Sequence, residues 1–224
     1  MSSRDTILAS IRRSLGVRGD EARRRAVVAE RLTKHPAGVI PARGQNETER
    51  LVLFRSMMQL AAGTVEEVAR QDDVPAAVAK FLRAHNLPFA VRRGADPRLD
   101  AMPWGRERTL EVAVGPSDGS DAVAVSHAFG AAAETGTLML TSGPDNPTTL
   151  NFLPDTHVVV VRADDIAGDY ETLWRQLRER DGAGNMPRTV NWITGPSRSA
   201  DIEQTLILGA HGPRRLHVIV VTGG

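Results

Sequence analysis

Val158-Val159-Val160-Val161 and Val218-Ile219-Val220-Val221 decide the fold. Both are uninterrupted apolar runs rich in β-branched residues. A strand of this kind has no face fit for water, so it must be covered on both sides, as strands are in a parallel sheet sandwiched by helices. Working outward, further short apolar runs stand at 89–91, 110–114, 122–125, 137–140, 157–161, 190–194 and 216–221. Helical stretches at 169–180 and 199–209 intervene. Strand–helix–strand order predicts an α/β domain with a mostly parallel sheet flanked by helices. Ligands in that architecture sit beyond the carboxyl ends of the strands, near helix N-termini, and a site is expected there.

Upstream of the strands the pattern is helical. Asn46 with Glu49 three residues on is a capping-box pattern, and Leu51, Phe54, Met58 and Ala61 form an apolar face up to Gly63. Asp73 and Pro75 open a second helix that carries Val78, Phe81 and Leu82 and ends near Asn86. Residues 3–15 read as an amphipathic helix with Ile7, Leu8, Ile11 and Leu15 on one side, capped by Ser2 or Ser3 with Asp5 in the first turn and stopped by Gly16. Residues 20–34 are also helical but more charged, and Pro36, Gly38, Pro41 and Gly44 then break the pattern. The predicted organisation is a helical N-terminal arm at 1–44 and an α/β domain at 45–224. The arm is suited to pack on the main domain or on a second subunit, which leaves a homo-oligomer open.

Composition narrows the function classes. The chain has 224 residues, 41% hydrophobic and 25% charged, ordinary for a globular protein and long enough to bury a core without disulfide or metal staples. Its net charge is only +1, so it has no strong pull toward nucleic acid or a membrane surface. The charge is uneven: residues 1–35 hold nine Lys+Arg against four Asp+Glu, and the remainder is net −4. The basic arm contains no aromatic residue, which argues against a nucleic-acid arm. With no cysteine, the chain can neither ligate an iron–sulfur cluster through thiolates nor supply a Cys nucleophile. The opening MSSRDTILASIRRSL has no signal-peptide apolar run, and nothing later reaches membrane-spanning length, so a cytoplasmic location is expected.

Three stretches carry candidate chemistry. In the first, Glu134-Thr135-Gly136 lies between a run of small residues and a strand. A carboxylate desolvated there would suit general acid–base or nucleophilic work; solvated, Glu134 is only part of a turn. In the second, Gly195-Pro196-Ser197-Arg198-Ser199 follows a strand and precedes the helix expected at 199–209. If Ser197 or Ser199 caps that helix, its free N–H groups and Arg198 would cradle an anion. Asp201 and Glu203 in its first turn would instead favour a capped helix facing a cationic or hydroxylated partner. In the third, His211 stands in a Gly-rich turn and can act as a base or a structural residue. No metal site is expected, because the His residues lack ligand spacing. Walker A, the dinucleotide fingerprint and Gly-x-Ser-x-Gly are all absent.

Taken together, ETGTLML at 134–140, LPDTHVVVV at 153–161 and TGPSRSADIEQTLILGAHGPRRLHVIVV at 194–221 resemble the LutC (lactate utilisation protein C) family of LUD-domain proteins. The resemblance covers most of residues 46–224. The chain departs from it in carrying Thr148-Thr149-Leu150 where many relatives have Arg. The resemblance implies a fold similar to the NagB/RpiA/CoA-transferase group. It also implies a role in L-lactate oxidation as the component without clusters, its iron–sulfur partner proteins carrying them. The resemblance assigns no site residues; from the three stretches above, Thr135, Gly136, Gly195, Ser197, Arg198, Ser199, Asp201 and Glu203 are expected to hold a small anionic metabolite or a partner surface, with Glu134 or His211 moving a proton. The alternatives are a stand-alone enzyme of that fold, acting on a sugar phosphate, CoA thioester or folate, and a non-catalytic scaffold or regulatory module.

Overall fold

The computed structural model describes residues 2–182, 184–200, 206–209 and 211–223. The chain forms two units, Met1–Ile40 and Pro41–Gly224. The first holds α1 (Ser3–Leu15) and α2 (Ala22–Lys34), neither with a buried residue. Ser2 and Asp5 close a capping box on α1, and Gly16 ends it in the left-handed conformation.

The second unit is built on a six-stranded sheet. In chain order it comprises α3 (Arg50–Leu60), β1 (Thr64–Val68), α4 (Val74–Ala84), β2 (Ala90–Arg93), the short α5 (Pro97–Asp100), β3 (Glu111–Val114), β4 (Val123–His127), β5 (Gly130–Ala132), β6 (Thr137–Thr141), the short α6 (Thr149–Phe152), β7 (Thr156–Arg162), β8 (Ile166–Ala167), α7 (Tyr170–Asp181), β9 (Val190–Ile193), β10 (Arg198–Ala200), β11 (Leu206–Leu208) and β12 (Arg215–Val221). The main sheet runs β1-β12-β7-β4-β2-β3, with every pairing parallel. A smaller sheet runs β8-β5-β6-β9, and β10 pairs with β11 in an antiparallel ladder.

The two Val-rich runs are β7 and β12, neighbours in the middle of the main sheet. Successive side chains on a strand point to opposite faces, and both faces here are apolar. Val158, Val160, Ile219 and Val221 pack with Val78, Phe81 and Leu82 of α4. Val159, Val161, Val218 and Val220 pack with Phe54 and Met58 of α3 and with Leu138 and Leu140 of the smaller sheet. That sheet turns its other face, through Ala132 and Met139, to Leu173 and Leu177 of α7. The sequence TVEEV of β1 carries no apolar run, and the strand reading passed over it. Its glutamates suit an edge strand, where charge blocks further pairing.

One helix expectation is overturned. Residues 198–200 and 206–208 pair as β10 and β11, so the helix expected at 199–209 is not formed. Ser197 shows why: its N–H donates to the Pro213 carbonyl at 2.8 Å and its carbonyl accepts the Gly209 N–H at 3.0 Å. Its backbone is spent on these bonds, and among the described residues of this segment no row of free helical N–H groups stands ready to cradle an anion. Serines at capping spacing are compatible with a strand, and Gly209, with φ of +80°, follows the end of β11. Asp201 and Glu203 lie outside the described residues.

Candidate functional site

A cleft of about 290 Å³ opens between the two sheets. Its walls include His157, the second residue of β7, and Leu216, the second residue of β12. It therefore lies at the amino ends of the central strands, not at the carboxyl ends where the architecture alone would place a site. The physical reason is the second sheet. The β9 strand crosses beside the main sheet and delivers Thr194, Gly195, Ser197 and Arg198 to this rim, where they meet His211 from the turn before β12.

Two glycines seat this rim on α3. A Cβ at Gly136, with φ +67°, would strike the backbone of Met57 and Met58; one at Gly195, with φ +77°, would strike the carbonyl of Ala61. Both stretches thus press on the same helix end. They also meet directly: Leu138 pairs with Ile193, and just beyond, Thr137 and Thr194 share a hydrogen bond of 2.6 Å. Thr135 joins them through Thr137 and the hydroxyl of Tyr170, at 2.7 and 2.8 Å.

Of the residues singled out from sequence, Gly195, Ser197, Arg198 and His211 line the cleft. Ser199 belongs to β10 by its backbone. Thr135 and Gly136 stand behind Thr194. Glu134 points elsewhere. It is buried, and its carboxylate accepts the Tyr170 N–H at 3.3 Å, where it complements the positive end of α7 beside the capping Asp169. Glu134→Gln is expected to lower stability by about 0.5 kcal/mol, a melting shift of roughly 1–2 °C, which a thermal melt reads.

Sequence reasoning missed His157 and Asn151. His157 is fully buried among valines; its Nε2 lies 2.9 Å from Ser126 Oγ, and its Nδ1 has no partner. Burial pushes its pKa down to about 3, so the ring is neutral near neutrality. The available signal was a polar ring heading a run otherwise free of polar groups. Asn151 comes from α6, whose Thr149 hydroxyl accepts the Ser117 N–H at 3.2 Å. Arg198 is the one arginine on the cleft wall, and among the described residues no carboxylate pairs with it or with His211. No group of three or more His, Asp or Glu able to hold a metal occurs among the described residues, nor does any helix long and apolar enough to cross a membrane.

Comparison with known proteins places this geometry. The lactate utilization protein C of Geobacillus sp. (strain WCH70) is 40% identical over 91 residues, 40% of this chain and 38% of that protein. Its counterpart in Anoxybacillus flavithermus (strain DSM 21510 / WK1) is 39% identical over 90 residues, 40% of this chain and 39% of that protein. The chain thus spans less than two-fifths of the length of these curated relatives. A crystal structure of a DUF162 family protein from Deinococcus radiodurans superposes with a TM-score of 0.55 at 24% identity, covering 79% of this chain and 98% of that one, and so shares the fold. The family model of the LUD domain matches residues 52–221, which takes in both sheets and every described cleft residue, and the chain belongs to the LUD domain family.

Proposed function

We propose that this chain is the cluster-free component of a lactate-utilisation system and holds a small carboxylate in the cleft at the amino ends of β7 and β12. One observation carries the reading: Arg198 and His211 flank a cleft whose walls bring hydroxyl, amide and imidazole groups, and no described carboxylate neutralises either. A guanidinium fork matches a carboxylate in shape and charge, and the neighbouring polar groups orient what it holds. His211, exposed at the mouth, exchanges the proton; Glu134 contributes by fixing α7. The names of the similar proteins support the lactate assignment. A chain without cysteine cannot carry thiolate-bound clusters, so electron transfer is assigned to iron–sulfur partner proteins.

Calorimetric titration of L-lactate into the purified chain tests the ligand half of this proposal. Binding is expected, weakened roughly 10-fold or more by Arg198→Met, in line with the loss of a charge-assisted pair. Absence of any heat with the unaltered chain would overturn it. The system half predicts that lactate-dependent reduction of the iron–sulfur partners requires this chain.

A further inference from the structure

The protons behind the cleft wall can be counted. Four hydroxyls, those of Thr135, Thr137, Tyr170 and Thr194, are joined by four hydrogen bonds of 2.6–2.8 Å. Three of these bonds close a triangle of Thr135, Thr137 and Tyr170. Each hydroxyl has a single proton to donate. The triangle consumes the protons of its three members, so the fourth bond exists only if Thr194 donates to Thr137. The cleft-lining Thr194 Oγ1 is then left with lone pairs and no proton to offer.

The floor follows the same arithmetic. Ser126 Oγ donates to Asn151 Oδ1 at 3.4 Å. On that assignment His157 Nε2–H is the donor in the 2.9 Å bond with Ser126. In a neutral imidazole this leaves Nδ1 as a bare acceptor, and Nδ1 is the ring atom without a partner.

We propose that the cleft engages its ligand on this wall through acceptors, Thr194 Oγ1 and His157 Nδ1, and therefore demands an O–H or N–H donor from the ligand. Tyr170 does not line the cleft. It is the positioning residue that sets the polarity of Thr194. The choice of ligand rests on the carboxylate reading above. A 2-hydroxy acid supplies a donor beside its carboxylate, whereas a 2-oxo acid brings a carbonyl oxygen against two lone-pair groups.

The experiment is paired calorimetry of L-lactate and pyruvate on the full chain and on Tyr170→Phe, with the protonation of His157 read by ¹⁵N NMR. The unaltered chain is expected to prefer lactate by at least about 10-fold, the scale of one matched hydrogen bond set against an unpaired polar group. Tyr170→Phe keeps the aromatic packing on Trp192, 4.7 Å between ring centroids. It leaves three protons for two bonds and frees Thr194 to donate. The preference should then fall to about two- or threefold. Equal binding of both acids, or a preference unmoved by Tyr170→Phe, overturns the inference while leaving the carboxylate site standing. Binding of neither acid overturns the carboxylate reading and the choice of ligand with it. The NMR measurement is independent of any ligand: a proton on His157 Nδ1 overturns the acceptor assignment.

Discussion

Acidification from pH 7 to pH 5 is expected to remove about 5 kcal/mol of folding stability, a large part of what a domain of this size has. Three buried histidines cause it. Burial holds His157 down at about 3 and His127 and His217 at about 4. All three are at most 4% exposed, so solvent screening is slight. Arg98 beside His127 opposes its charging further, while Glu66 near His217 favours it only in part. The unfolded chain protonates each ring near 6.5. Below that pH the unfolded state binds more protons than the folded one, so stability is full above about 6.5 and falls as pH drops toward the folded values. Asp96 acts in a different window. The desolvation of its carboxyl is outweighed by Arg98 and Asn146, which hold it at about 2, so its contribution fades only below about 3.8. Urea unfolding at half-unit pH steps checks this. A flat stability between pH 7 and pH 5 would contradict the neutral burial of these rings.

Alanine at Gly136 or Gly195 is the second large effect, expected to cost about 3 kcal/mol each. An L-residue in the left-handed region costs roughly 1–2 kcal/mol, and forcing a methyl into packed backbone adds a similar amount or more. The obstruction is main chain in both cases, Met57–Met58 for Gly136 and Ala61 for Gly195, so no side-chain rotation relieves it. Both positions bear on the end of α3. Once one substitution has displaced that end, the second has less left to disturb, and the double variant should cost less than the two combined. Chemical denaturation of the three variants measures this directly. Full additivity would show that the two stretches do not share a seat.

Much of the fold was legible because its signals are local. The runs at 157–161 and 216–221 announced strands covered on both faces, and they became two adjacent interior strands with α4 on one side and α3 with the second sheet on the other. Asp73 marked the start of α4, and Asn46 caps the 3-10 turn Glu47–Glu49 that leads into α3. Local signals failed where two local structures satisfy the same residues. The serines after Gly195 cap a helix as readily as they enter a strand, and only the bonds from Ser197 to Pro213 and Gly209 choose between them.

The sequence alone determined the sheet class, the starts of α1, α4 and α7 and the impossibility of thiolate clusters in this chain, since period, capping residues and composition are properties of neighbouring residues. Only the tertiary structure decided which rim holds the cleft, that His157 forms its floor, and that Glu134 serves a helix end. Those outcomes depend on pairs such as Thr137 with Thr194 and Ser126 with His157, which lie 57 and 31 residues apart. The hydroxyl partners of the cleft wall are likewise brought together only by the folded chain.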